Sequence, residues 1–122
     1  MKWTFTEDKP IYLQIIEQIE IGILQQEFPP GSQVPSVREL ALKAEVNPNT
    51  MQRALSKLEE KKLMYSERTS GRFVTEDKTM IDKLRNDLAK EHIRQFLKNV
   101  QNLGMTKKEI IKMIEKNMKE DE

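Results

Sequence analysis

The sequence predicts a mainly α-helical protein that contains one small β-hairpin. Three observations support this fold class. Ile, Leu, Val and Met recur at helical spacing along most of the chain. Capping residues and prolines stand where helices begin, and glycines stand where they end. Residues 63–75 instead combine strand-favouring side chains with a central turn. The 122 residues allow one compact domain and a short appendage.

The first helix is predicted to begin near Pro10, because a proline at an early helical position has no N–H that needs a partner. The segment FPPG at residues 28–31 ends this helix, since proline cannot continue it and glycine permits a turn. Its apolar stripe consists of Ile11, Ile15, Ile16, Ile19, Ile23 and Leu24.

Two short helices are predicted next from their capping residues. Ser36, with Glu39 three positions later, forms a capping box that opens the second helix. Asn47 is a good N-cap and Pro48 a good first residue for the third helix, which should end near Lys62. The buried faces are predicted to be Val37, Leu40, Ala41 and Ala44, and then Met51, Ala54, Leu55 and Leu58.

A hairpin and two further helices complete the chain. Residues 63–67 and 72–75 favour strands, and Thr69-Ser70-Gly71 between them favours a turn. Helical spacing resumes after residue 77 and continues to Gly104, a typical C-terminal residue. Thr106 and Glu109 form a second capping box at the last helix. The whole pattern predicts a winged helix-turn-helix over residues 1–76 and a short two-helix tail over 77–122.

This arrangement predicts DNA binding. The second helix would brace the third, which enters the major groove, about 12 Å wide. The hairpin, or wing, would lie along the DNA backbone or reach the adjacent minor groove. Residues 34–75 carry eight basic and five acidic side chains, whereas residues 1–33 carry two and five. A positive region on a chain of net charge +1 suits this role. The predicted reading face consists of Asn47, Asn49, Thr50 and Arg53, whose amide and guanidinium groups suit adenine and guanine.

Each of these signals also has a purely structural explanation, which the sequence leaves open. Asn47 is equally suited to act only as a helix cap, and the polar residues after it are ordinary for a solvated helix start. Arg38 has Glu39 and Glu45 as salt-bridge partners nearby in sequence. Arg72 could be an edge-strand charge that discourages aggregation.

Several segments, in this order and spacing, resemble the GntR family of bacterial regulators. They span roughly residues 9 to 75 and comprise PIYLQI (10–15), PGSQVPSVRELA (30–41), VNPNTMQRAL (46–55), Leu58-Glu59 and GRFV (71–74). The version Asn-Pro-Asn-Thr resembles the YtrA-type branch. Pro48 and Gln52 depart from many relatives, so the operator sequence cannot be carried over from them.

The resemblance implies a repressor that binds a pseudo-palindromic, double-stranded DNA operator as a homodimer. It places DNA contacts at the start of the second helix, at the reading helix and at the wing tip. The implied DNA-binding residues are Ser36, Arg38, Asn47, Asn49, Thr50, Arg53, Ser70, Gly71 and Arg72.

The tail is predicted to pair two copies of the chain. Fewer than fifty residues follow the wing, too few to enclose a metabolite-sized pocket of roughly 300 Å³. So much apolar surface on a small appendage favours contact with a second copy, although folding back as a monomer is the alternative. The predicted dimerisation residues are Leu84, Leu88, Phe96, Val100, Leu103, Ile110 and Ile114. A small-molecule effector, the regulated genes and the inducing signal stay unidentified.

Other classes of protein have little support. The chain has no cysteine, a single His92 and no glycine-rich phosphate loop, so we expect neither an enzyme nor a metal or cofactor site. No apolar run approaches the roughly 20 residues that span a bilayer, and the acidic N-terminus does not suit a signal peptide. We therefore expect a cytoplasmic protein without membrane contact. The remaining alternative is a winged-helix module for protein interaction or RNA binding without specific DNA readout.

Overall fold

The computed structural model describes residues 1–120, and over this range it confirms the predicted fold class. It contains five helices and one two-stranded antiparallel sheet. The elements are α1 (Ile11–Leu24), α2 (Val37–Ala44), α3 (Pro48–Glu60), β1 (Met64–Glu67), β2 (Gly71–Val74), α4 (Lys78–Gln101) and α5 (Lys107–Glu120). Across the same residues, every helix lacks either the length or the apolar character that crossing a bilayer requires.

The chain forms two compact units that divide within α4. The first unit is Met1–Arg85 and the second begins at Asn86. The first unit extends beyond the predicted boundary at residue 76, because the first turns of α4 bury Ile81 and Leu84. The final positions of the predicted tail, 121 and 122, lie outside the described residues.

Local side-chain signals start the helices as predicted. The Ser36 hydroxyl accepts a hydrogen bond from the backbone N–H of Glu39 at 3.1 Å, which caps α2. The Glu39 carboxylate pairs with Lys43 at 3.7 Å, so the second half of this capping box does not form. At α5 both halves form, since Thr106 and Glu109 each accept a hydrogen bond from the other's backbone N–H, at 3.2 and 2.9 Å.

The core of the first unit lies between α1 and α3, which pack against each other. Their fully buried side chains are Ile15, Ile19, Ile23, Met51, Leu55 and Leu58. Ile11, predicted to join the stripe, is exposed because it is the first residue of α1 and lies beyond the packed region. The helix also ends earlier than predicted, since Gln26 adopts a positive φ of 64°. Phe28 then packs back on Gly22.

The wing is a tight hairpin beside the connector that precedes α2. Met64 pairs with Val74 and Glu67 with Gly71 across the two strands. Gly71 has a φ of 111°, a conformation that favours glycine and lets the chain return at the wing tip. Gln33 forms an isolated bridge with Phe73, so the connector extends the sheet by one residue.

The second unit has little core of its own. Among its described residues only Ile110 is buried to the same degree as the core of the first unit. Gly104, with a φ of 79°, ends the α4 turn as predicted, and its backbone N–H donates to the carbonyl of Gln101 at 3.0 Å.

Candidate nucleic-acid interface

Helix α3 has an apolar back and a polar front, as the sequence predicts. Met51, Ala54 and Leu55 are fully buried, whereas Asn49 and Arg53 are exposed. At 100° per residue, the exposed side also includes Gln52 and Ser56. The leading turn of the helix is thus open to a partner.

Gln52 and Ser56 on this exposed side were not among the contacts predicted from the sequence. The Gln52 side-chain amide donates to the Ser56 hydroxyl at 3.2 Å, so both lie on the exposed face of α3. Their spacing from Asn49, three and seven residues, is the signal that would have identified them. These side chains belong to the same surface as Arg53.

The start of α3 combines capping with exposure. The Asn47 side-chain oxygen accepts a hydrogen bond from the backbone N–H of Asn49 at 2.7 Å, so the structural explanation for Asn47 applies. Its amide NH₂ is the group that is left to reach a ligand. Thr50 is half-buried, and its contact with DNA stays a prediction.

Arg38 lies exposed in the first turn of α2. It forms no ion pair with either suggested partner: Glu39 pairs with Lys43, and Glu45 is the left-handed C-cap of α2 with a φ of 56°. Ser36 is also exposed, and its hydroxyl oxygen caps the helix. The first turn of α2 therefore offers an available cation.

Arg53 is exposed, yet it has a defined neighbour. Its guanidinium carbon lies 3.6 Å from the centroid of the Tyr12 ring on α1. This is a cation–π contact, which holds the side chain without an anion. This neighbour, 41 residues away in the sequence, was not predicted.

Arg72 lies in the wing but is tied to α3. Its Nε donates to Glu59 at 2.8 Å, and its side chain is only 16% exposed. Ser66, on the facing strand, donates to the same Glu59 oxygen. Burial raises the pKa of Glu59, but the bonds from Arg72 and Ser66 and the charge of Arg72 outweigh it, so the pKa lies below its usual range. Arg72 thus fixes the wing to the reading helix.

The wing tip carries a different cation, Arg68, which was not among the contacts predicted from the sequence. It is exposed, and it takes part in none of the ion pairs found among the described residues. Its position directly beside the predicted turn is the signal that would have identified it. The neighbouring Ser70 carbonyl accepts a hydrogen bond from the Gln33 side chain at 2.7 Å, which anchors the tip to the connector.

The predicted dimerisation residues fall into three groups. Leu84 is buried within the first unit, where it serves the core, and Leu88 is half-buried. Leu103 is 76% exposed in the turn after α4. The remaining four belong to one open groove of about 490 Å³, whose lining is Phe96, Val100, Met105, Ile110, Met113, Ile114, Asn117 and Met118.

Known proteins resemble this chain along most of its length. YhcF of Bacillus subtilis, named an uncharacterized HTH-type transcriptional regulator, is 40% identical over 90% of this chain and 91% of its own. The repressor YtrA of the same organism is 36% identical over 72% of this chain and 68% of its own. Both similarities continue past the wing into the tail.

Solved structures agree with these relatives. A GntR family transcriptional regulator from Listeria monocytogenes has a TM-score of 0.85 at 43% identity and covers 92% of this chain and 98% of its own. The DNA-binding domain of AraR, solved with operator ORX1, has a TM-score of 0.56 at 28% identity. That domain covers 62% of this chain and 96% of its own. The winged helix-turn-helix prediction is confirmed.

The family model described as bacterial regulatory proteins, gntR family, matches residues 11–74, just over half of the chain. This range runs from the first residue of α1 to the last residue of the wing. The chain is therefore a transcriptional regulator of the gntR family with that family's DNA-binding domain.

Proposed function

We propose that this regulator is a cytoplasmic, sequence-specific repressor that binds a pseudo-palindromic operator as a homodimer. The exposed polar leading turn of α3, backed by fully buried apolar residues, is the observation that carries the proposal. The repressor name of YtrA and the operator in the AraR structure support it. The relatives named above are transcriptional regulators, which favours this role over an enzyme.

The reading helix supplies the base contacts in this proposal. Asn49 and Arg53 present an amide and a guanidinium on the exposed face, the groups that form paired hydrogen bonds with adenine and guanine. Asn47 and Thr50 contribute at the edge of this face. Ser36 and Arg38, at the start of α2, contact the phosphate backbone and fix the register of the helix in the groove.

The wing supplies a second contact with DNA in this proposal, and its two arginines have different roles. Arg68 contacts phosphate or the minor groove from the exposed tip, together with Ser70 and Gly71. Arg72 acts through Glu59 by holding the wing in place. Because its Nε–H donates to Glu59, only the N–H groups of its two terminal nitrogens could reach DNA.

The tail pairs two copies through its apolar groove. A second copy is the occupant that a pseudo-palindromic operator requires, because each half-site must meet an identical reading helix. The groove is open, since Phe96 is 41% and Met118 66% exposed, and its lining contains no charged side chain. An identical groove on a second copy would cover these residues.

Titration of DNA tests the binding proposal. Binding of the full chain to the promoter of its own operon, and to a scrambled duplex, is followed by gel shift over a range of salt concentrations. We expect a preference for the promoter and a steep fall of affinity with salt. Arg53→Ala should remove roughly 1–3 kcal/mol of discrimination, whereas Arg85→Ala, on α4, is the matched control that should not. Sequence-blind or salt-independent binding would indicate the protein-interaction or RNA-binding module instead.

Sedimentation tests the dimer proposal. The wild-type chain should sediment as a dimer, and Ile114→Glu should shift it to the monomer by placing a charge in the groove. Lys108→Glu, on the same helix but outside the groove lining, is the matched control and should leave the dimer intact. A wild-type monomer at micromolar concentration would contradict this part of the proposal.

A further inference from the structure

Tyr12 on α1 is a half-buried side chain for which the proposed interface provides no role. Its ring lies against the Arg53 guanidinium, with 3.6 Å between the centroid and the guanidinium carbon. Eight residues further along the chain from each partner, Lys61, the C-cap residue of α3, donates to Glu20 of α1 at 2.7 Å. The two helices therefore run side by side in the same direction.

The type of contact matters for what Arg53 can still do. The five N–H donors of a guanidinium lie in its plane, so a ring that covers one face leaves the donating edge unoccupied. An anion has the opposite effect, because it occupies the N–H groups themselves, as Glu59 does with the Nε of Arg72. Arg53 is held and yet remains able to donate.

The position of the Tyr12 ring is fixed by hydrogen bonds at the start of α1. Gln14, two residues further along α1, is buried, and its amide donates to the carbonyls of Thr6 and Lys9 at 2.9 and 2.8 Å. The Thr6 N–H donates back to the Gln14 side chain at 2.8 Å. These bonds fix the first turn of α1, and Tyr12 with it.

We propose that Tyr12 is a positioning residue that holds the guanidinium of Arg53 ready to donate its paired N–H groups to a guanine in the major groove. A long arginine side chain loses much rotamer freedom when it is fixed on a base, and stacking on Tyr12 before binding removes part of that cost. The inference rests on the proposed function, since it assumes that α3 reads DNA.

The test compares sequence discrimination between variants. A duplex selected from a random library with the wild-type full chain serves as the specific probe, and a scrambled duplex of equal length serves as the reference. Discrimination is the ratio of the two Kd values. Tyr12→Leu should lower it about two- to fivefold, whereas Tyr12→Phe, which keeps the ring, should retain it. Arg53→Ala should lower it roughly five- to 150-fold.

A double-mutant cycle separates positioning from general packing. If Tyr12 acts through Arg53, Tyr12→Leu should cause no further loss in the Arg53→Ala background. A loss of equal size in that background would overturn the inference, as would full discrimination in Tyr12→Leu. A Tyr12→Phe variant as poor as Tyr12→Leu would also overturn it, because the hydroxyl would then be the acting group. A wild-type chain that shows no discrimination defeats the proposed function itself, before any variant is compared.

A measurement without DNA guards against a Tyr12→Leu variant that does not fold. In the NMR spectrum of the free wild-type chain, the ring current of Tyr12 should shift the Arg53 Hε signal upfield of that of Arg38, which is exposed without an ion pair. Coincident Hε shifts for the two arginines would show that the stack does not form in solution and would overturn the inference.

Discussion

The two units of the chain differ in where their apolar side chains lie. In the first unit, seven large apolar side chains from α1, α3 and the wing are fully buried, and the few buried polar residues include Gln14 and Glu20, which have hydrogen-bond partners. In the second unit, the described residues include one buried side chain, Ile110, and several exposed ones on the same helix, such as Met113 and Met118. The first unit thus has an apolar core of its own, whereas the second leaves most of its described large apolar side chains on an open surface.

The largest expected effect contrasts a core residue with a tail residue. Leu55→Ala removes a fully buried side chain from α3 and should lower the free energy of unfolding by about 2–5 kcal/mol. Met118→Ala, at a position 66% exposed, should cost under about 0.5 kcal/mol at concentrations where the chain is monomeric. Urea titration followed by circular dichroism measures both. Equal losses would remove the difference between the units.

The ion pair between α1 and α3 gives the next largest effect. Glu20 is buried and bonds to Lys61, whose side chain is half exposed. Lys61→Ala should cost about 1–3 kcal/mol, since it leaves the carboxylate buried without its donor. Lys57→Ala removes an exposed pair on the same helix and is the control, with little expected loss. If both variants unfold at the wild-type urea concentration, the buried pair contributes nothing.

The link between wing and reading helix should depend on pH. The pKa of Glu59 is lowered in the folded chain, so its contribution to stability is complete above the usual glutamate range and is lost as the pH falls through the lowered value. Glu59→Gln should therefore cost about 1 kcal/mol at pH 7 and progressively less in acid. Thermal unfolding of both proteins between pH 3 and pH 7 measures this. A cost independent of pH would show that the charge of Glu59 is not the cause.

The smallest expected effect concerns the capping box of Thr106 and Glu109 at the start of α5 in the tail. Hydrogen bonds from the Thr106 backbone and then its side chain lower the pKa of Glu109. Glu109→Gln should cause a small loss of helicity at neutral pH that disappears in acid, because the ionised carboxylate accepts the capping hydrogen bond more strongly than an amide or a protonated carboxyl does. Circular dichroism at 222 nm detects it, and Glu115→Gln on the exposed side of the helix is the control.

The features predicted from the sequence were the local ones. Ser36, Asn47 and Thr106 start helices through bonds to residues two or three positions away, so the sequence contains all the partners. Gly104 ends a helix for the same local reason. The back of α3 was also predictable, because helical spacing alone separates Met51 and Leu55 from the polar front.

The side-chain partners across elements were not predictable in this way. Arg53 meets Tyr12, and Lys61 meets Glu20, at a sequence separation of 41 residues in both cases. Arg72 meets Glu59 only because the hairpin folds back along α3. A single sequence shows which residues carry charge but not which of them form ion pairs. Arg72 was therefore predicted to contact DNA and Arg68 was not, although the structure pairs Arg72 with Glu59.

The Glu59 carboxylate, which joins the wing to α3, limits how far the length of a half-site in the DNA can vary in the proposed complex. Glu59 bonds to Ser66 on one strand and Arg72 on the other, so sliding either strand along the helix would break one of these bonds. In the proposed complex, inserting one base pair inside a half-site would move one contact by about 3.4 Å along the duplex. The hairpin could not follow it. In that complex, this joint between the wing and α3 would set the geometry within each half-site.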